Sequence, residues 1–158
     1  MATGSAVDGE VAIRQATRAD LLSIYRLEKR IFDEPWSYST FEDFLGEPAF
    51  LVAERNGRVL GYVVADWMAN YGGNFGHIKD LAVDPECRRN GLGRTLLRRA
   101  VSRLLIERVT RIKLEVREHN TVARELYTQE GFEPFRRIPR YYHDGEAALV
   151  LVYTPTKL

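Results

Sequence analysis

The sequence predicts an α/β (α+β) fold: a mixed, twisted sheet of about seven strands flanked by about four helices, in the order β-α-α-β-β-β-α-β-α-β-β. Three observations predict it. Segments with apolar residues at alternate positions interleave with segments whose apolar residues recur at helical spacing. Asn56-Gly57 sits between two apolar runs, the strongest short signal for a hairpin. The stretch Asp80 to Leu105 runs from a short apolar strand through a glycine loop into an amphipathic helix. At 158 residues the chain is sized for one core, so residues 10–158 read as a single domain behind a loose, small-residue tail, Met1 to Gly9.

The elements follow in order. Val11 to Gln15 alternates and reads as a strand. Thr17-Arg18-Ala19-Asp20 has capping-box spacing. Leu21, Leu22, Tyr25, Ile31 and Phe32 give the helix after it a core face, and Glu34-Pro35-Trp36 ends it. Ser39-Thr40-Phe41-Glu42 opens a shorter helix with Phe41, Phe44 and Leu45 turned inward. Phe50 to Glu54 and Val59 to Met68 are the hairpin arms, and Phe75 to Val83 is the next strand. The central helix carries Leu96, Leu97, Ala100, Val101, Leu104 and Leu105 on one stripe. Its other face, Arg94, Arg98, Arg99 and Arg103, reads as solvated, with RNA binding as the alternative. Arg111 to Val116 alternates, Thr121 to Glu130 is a short helix with Gly131 suited to its C-terminus, and Phe132 to Ile138 and Ala147 to Tyr153 are the last strands, turning at Asp144-Gly145.

The glycine loop carries chemistry. The first amides of a helix lack internal acceptors, and the helix dipole adds roughly half a positive charge there. Gly91 and Gly93 let an oxygen-rich group approach the backbone, and Arg88, Arg89 and Arg94 add full charges. The expected occupant is a phosphorylated ligand. The loop lacks the Lys-Ser/Thr ending of a triphosphate P-loop and is too short for the dinucleotide fingerprint.

Composition excludes other classes. A net charge of +1 argues against a general nucleic-acid or membrane-surface binder. One cysteine, Cys87, forbids an internal disulfide and fits a reducing, cytoplasmic setting. No apolar run has the length of a membrane span, and the N-terminus has no signal-peptide pattern. His77, His119 and His143 have no metal-ligand spacing, so no metal is expected. No G-x-S-x-G nucleophile elbow is present.

Arg88, Gly91 and Gly93 spell R-x-x-G-x-G, preceded by Leu-Ala-Val-Asp-Pro and followed by Arg-Thr-Leu-Leu. With Gly76-His77-Ile78-Lys79-Asp80, Leu114-Glu115-Val116-Arg117, Asn120, Ala123, Leu126-Tyr127 and Tyr141 to Ala148, the chain resembles the GNAT superfamily of acetyltransferases along nearly its whole length. Within it, the resemblance is greatest to the protein Nα-acetyltransferases, the RimI group of bacterial ribosomal-protein enzymes and their archaeal and eukaryotic relatives. Pro35-Trp36-Ser37 resembles the RimI group; other relatives carry Pro-Glu-Asn-Tyr there, with a substrate-selecting glutamate that is absent at Trp36 although Glu34 lies close by.

The resemblance implies the GNAT fold and acetyl transfer from acetyl-CoA to protein or peptide N-termini. It also implies an auxiliary subunit or ribosome association as partners. Leu81, Ala82 and Val83 would pair with the pantetheine arm. Arg88, Arg89, Asn90, Gly91, Leu92, Gly93 and Arg94 would hold the diphosphate, with Asn120 on the other side. Glu115 would be the base, directly or through water, His77 a water-holding partner, and Tyr127 the group that touches the cofactor and protonates the leaving thiolate. Pro35, Trp36, Tyr38, Tyr141 and Tyr142 would bind the acceptor. From the residues alone, Glu115 also reads as a solvent-facing strand position, His77 as structural, and Tyr127, Tyr141 and Tyr142 as core aromatics. The alternatives in function are a lysine or small-molecule amine acetyltransferase on the same fold, and a non-catalytic acetyl-CoA-binding module.

Overall fold

The computed structural model describes residues 10–156, so the expected tail at Met1 to Gly9 lies outside the described residues. Seven strands, β1 (Ala12–Gln15), β2 (Leu51–Arg55), β3 (Arg58–Asn70), β4 (Gly73–Val83), β5 (Val109–Arg117), β6 (Glu133–Ile138) and β7 (Ala148–Tyr153), are joined by four α-helices, α1 (Leu21–Ile31), α2 (Tyr38–Asp43), α3 (Leu92–Ile106) and α4 (Thr121–Gln129). The strands form one sheet in the order β1-β2-β3-β4-β5-β7-β6. The element order is the expected one.

The turns follow local chemistry. Asn56 and Gly57 both take positive φ, 53° and 78°, as a type I′ hairpin turn requires. The Thr17 amide donates to Asp20 Oδ2 at 2.7 Å, and Arg14 grips the same carboxylate, so a single 3₁₀ turn at Arg18–Asp20 leads into α1. That turn sets the phase of α1. Leu21, Ile24 and Leu27 face the core, whereas Leu22, expected inside, is 49% exposed. Tyr25, also expected inside, is half-buried and packs edge-on against Tyr38. Along α3, Leu96, Leu97, Ala100 and Leu104 are buried as expected, but Leu105 has turned outward at 38% exposure.

Two apolar clusters cover the two faces of the sheet. One gathers Leu96, Leu97, Ala100 and Leu104 of α3 against Ile112, Leu114 and Val116 of β5. The other gathers Leu21, Ile24 and Leu27 of α1 and Phe41 of α2 against Val52, Tyr62 and Val64. Each buried Leu, Ile, Val or Phe among them contributes roughly 1.5–3 kcal/mol.

One departure from regularity positions the site. β4 and β5 are the parallel pair, and they pair only from Asn74↔Val109 to His77↔Lys113, with a one-residue shift after Asn74. Beyond that point β4 keeps its partner β3 and β5 keeps β7, but the two strands part from each other. The β3–β4 ladder explains where. Val64 faces Asp80 and Ala65 faces Ile78, leaving Lys79 as an extra residue in β4. Such a bulge bends its strand, and the bend falls where the β5 pairing ends.

Candidate active site

The glycine loop leaves β4 at Val83 and enters α3. Arg88 Nε donates to the Val83 carbonyl at 3.2 Å, which folds the loop back over the strand end. Gly91 is the N-cap residue of α3 in the left-handed region, φ 79°. Arg89 is also left-handed, at φ 73°. A Cβ built on Gly91 would meet no atom within 4 Å, and one on Gly93 would meet Val83 Cγ2 only at ordinary contact, 3.6 Å. The protein's own packing therefore does not demand a small residue at either place. Arg88 and Arg89 are exposed. Arg94 behaves differently from expectation: its guanidinium turns onto α4, paired with Glu130 and Gln129 at 2.5 Å each. Its charge is largely spent tying α3 to α4, and Arg98 joins the same Glu130 carboxylate.

A cavity of about 1050 Å³ runs from this loop, between the parted ends of β4 and β5, to the α1–α2 connection. Leu81, Ala82 and Val83 form one wall, and Gly91, Leu92, Gly93 and Arg94 form one end. Asn120 lines it too, as the N-cap of α4, where its Oδ1 accepts from the Ala123 amide at 3.2 Å. Asn90 is exposed on the loop and does not line the cavity.

At the fork of the strands, His77 Nε2 lies 2.7 Å from Glu115 Oε1. These residues are 38 apart in sequence and on neighbouring strands. Lys113 Nζ stands 3.6 Å from the other Glu115 oxygen. Burial pushes the Glu115 carboxyl up, but the His77 hydrogen bond and the nearby charges of His77 and Lys113 outweigh it, and the group sits below its ordinary range. Glu115 is therefore a carboxylate at neutral pH. Tyr127 of α4 lines the cavity and packs edge-on against Phe132, with ring centroids 6.0 Å apart. Burial raises its phenol well above the usual value, so it keeps its proton.

The remaining walls come from two loops. Trp36 lines the cavity and stacks on Phe44 at 5.5 Å. Pro35 is exposed, and Tyr38 turns to Tyr25; neither lines the cavity. Tyr142 lines it, lies under the Arg117 guanidinium at 4.1 Å, and is pushed up to about 12, chiefly by burial. Tyr141 packs edge-on against Tyr142 and is 47% exposed. Its phenol is raised by burial and by the charge of Glu115, although it does not line the cavity.

Two features escape a reading of the sequence. Arg117 is a hub: it pairs with Asp144 and Glu146 at 2.9 Å each and reaches Glu34 at 3.6 Å, joining the β6–β7 turn to the α1–α2 connection. Glu28, in the last turn of α1, is buried and accepts from the Trp36 amide at 2.9 Å and the Tyr62 hydroxyl at 2.5 Å. Ion-pair partners far apart in sequence leave no local pattern. No cluster of metal-ligating side chains is found among the described residues. No helix among them is long and apolar enough to cross a membrane.

Comparison with known proteins gives a consistent result. Residues 20–132 match the Acetyltransferase (GNAT) family. The chain is 37% identical over 145 residues to an uncharacterized N-acetyltransferase of Methanocaldococcus jannaschii, covering 89% of each. It is 30% identical over 142 residues to the ribosomal protein bS18-alanine N-acetyltransferase of Escherichia coli, covering 88% of this chain and 93% of that one. Among solved structures it is similar to a chain of the NatC complex bound to Gag peptide and CoA, with a TM-score of 0.87 at 25% identity, covering 93% of this chain and 99% of that one.

Proposed function

Because the chain belongs to the GNAT family of acetyltransferases, we propose that it acetylates the free α-amine of protein N-termini, with acetyl-CoA as the donor. The single observation that carries this reading is the fork itself. Two parallel strands stop pairing immediately past His77, and the carboxylate of Glu115 stands at the point of divergence, 2.7 Å from that imidazole.

The donor's features match the cavity. A diphosphate suits the open amides at the start of α3, the space above Gly91, and Arg88 and Arg89. An extended arm carrying amides suits the free edge that β4 presents at Leu81, Ala82 and Val83 once β5 has turned away. Holding donor and acceptor in line across the gap supplies several kcal/mol of the barrier.

In the reaction the amine nitrogen bonds to the acetyl carbon and the carbon–sulfur bond breaks. Glu115 takes the proton released by the amine, directly or through one water, with His77 orienting that carboxylate. Tyr127 donates a hydrogen bond to the departing sulfur. Because its phenol is raised, complete proton transfer is steeper than the ordinary values of about 10 for tyrosine and 8.5 for a thiol imply. Trp36 and Tyr142 flank the acceptor.

The α-amine fits the strength of the base. Deprotonation at pH 7 costs roughly 1–1.4 kcal/mol for an α-amine and about 4.6 for lysine. Glu115, with its carboxyl below the ordinary range, is a weak base suited to the former. Incubation with acetyl-CoA and peptides bearing free or blocked N-termini, read by mass spectrometry, tests the reading. Acetylation of free α-amines is expected; transfer confined to internal lysines of blocked peptides overturns it.

A further inference from the structure

Glu28 and Asp80 are two carboxyls in hydrogen-bonding range, one on α1 and one on β4, both turned to the face that carries Trp36. Asp80 Oδ2 is sealed from solvent and finds no donor among the described residues. Neither carboxyl has a cation beside it among those residues. Lys79, the neighbour in sequence, lines the same cavity, but its ammonium lies over the Phe44 ring at 5.1 Å and is paired with Asp66 at 3.2 Å. The groups that face the pair are the Tyr62 hydroxyl from β3, the Trp36 amide from the α1–α2 connection, the Tyr127 phenol from α4, and the Leu81 backbone amide, which donates to the Asp80 carboxyl and opposes its upward shift.

Two buried carboxylates without a cation repel strongly, and such a pair retains one proton. Glu28 already accepts two hydrogen bonds, so it is the acceptor of the third. Asp80 is the donor, and with that proton the unsatisfied Oδ2 is accounted for. We propose that Asp80 is a positioning residue: through one proton shared with Glu28 it fastens α1, and with it the Trp36 wall of the acceptor side, to β4. Burial first, and the proximity of Glu28 second, hold the Asp80 carboxyl well above its ordinary range, in accord with this arrangement.

The sign follows. The fastening is complete while the pair holds its proton. As pH rises and the proton leaves, two adjacent negative charges drive α1 and β4 apart. The acceptor wall loosens, and acceptor affinity falls before the chemistry does. Asp80→Asn keeps a donor toward Glu28 and removes the titration. Asp80→Leu removes both.

The kinetic arm rests on the acetyl-transfer reading; a second arm does not. With ¹³C-labelled carboxyls, the full-length protein is expected to show one carboxyl still protonated at neutral pH, lost in Asp80→Asn. Ordinary titration of every carboxyl overturns the proposal. In the kinetic arm, the peptide KM at saturating acetyl-CoA is measured from neutral pH upward. The wild-type to Asp80→Asn ratio is expected to climb, by up to about tenfold per pH unit once the proton is lost. Taking the ratio cancels ionisation of the peptide amine. Asp80→Leu is expected to have a raised KM throughout. A pH-independent ratio, or Asp80→Leu matching Asp80→Asn, overturns it. If Asp80→Asn fails to fold by near-ultraviolet circular dichroism, the wild-type carboxyl titration decides alone, and the absence of any carboxyl protonated at neutral pH overturns the proposal. A wild-type protein inert on all peptides would refute the acetyl-transfer reading and leave the carboxyl titration to decide this one.

Discussion

Substituting Gly91 separates what the loop does for the fold from what it does for the ligand. The residue is left-handed at φ 79°, and its missing Cβ would meet no protein atom within 4 Å. Gly91→Ala therefore adds no clash and costs only the backbone penalty, about 1–2 kcal/mol. At roughly 2–4 °C per kcal/mol for a domain of this size, the melting temperature is expected to fall by about 2–8 °C. Gly91→Val places two further carbons in the same space, which the diphosphate is expected to occupy. Its affinity for acetyl-CoA is expected to fall at least about tenfold, or 1.4 kcal/mol. Gly93→Ala supplies the control: its Cβ meets Val83 at 3.6 Å, an ordinary contact, and its φ is not positive, so the melting temperature is expected to hold. Isothermal calorimetry well below the lowest melting temperature reads the affinities. An unchanged dissociation constant in Gly91→Val, alongside the lowered melting temperature, refutes the placement of the diphosphate.

Glu115→Gln is expected to lower kcat/KM by about 10²–10⁴-fold. Glu115 has a lowered folded-state pKa, so its contribution to stability is present above the ordinary value of 4.5 and is lost as pH falls through the folded value. The stability gap between wild type and Glu115→Gln is thus expected to be widest near neutrality and to close in acid, as urea titrations across pH will show. Tyr127→Phe is expected to lower kcat while leaving acetyl-CoA affinity by calorimetry nearly unchanged; equal loss in both would make it a packing residue only. Gly61→Ala is expected to destabilise by about 1–3 kcal/mol in denaturant titrations. Its Cβ would lie 2.7 Å from the Ala82 carbonyl and 3.2 Å from Leu96, pushing β3 against β4 behind the cavity wall.

Local chemistry was legible in the chain, and long-range pairing was not. Alternation and helical spacing depend on neighbours a few residues away, so the element order and the Asn56-Gly57 turn could be read directly. Leu22 misled because the 3₁₀ turn before α1 rotates the helix and brings Ile24 and Leu27 to the core instead. The bulge at Lys79 is a mismatch between two strands and has no signature in either alone. Arg94 read as an anion ligand because its partners, Gln129 and Glu130, lie on another helix. Nothing local marks Glu28; only the arrival of Tyr62, Trp36 and Asp80 from three other segments makes it central.

The parting of β4 from β5 has a thermodynamic side. A strand abandoned by its neighbour leaves amides and carbonyls along one edge that water satisfies poorly inside a cleft. Whatever molecule fills that edge becomes a temporary eighth strand, and its binding energy adds to the stability of the whole protein, about 2.7 kcal/mol at a hundredfold excess over its dissociation constant. If the donor's arm docks there as proposed, catalyst and cosubstrate would melt as one body, and the spent thiol, which keeps the same arm, would protect the enzyme between turnovers too.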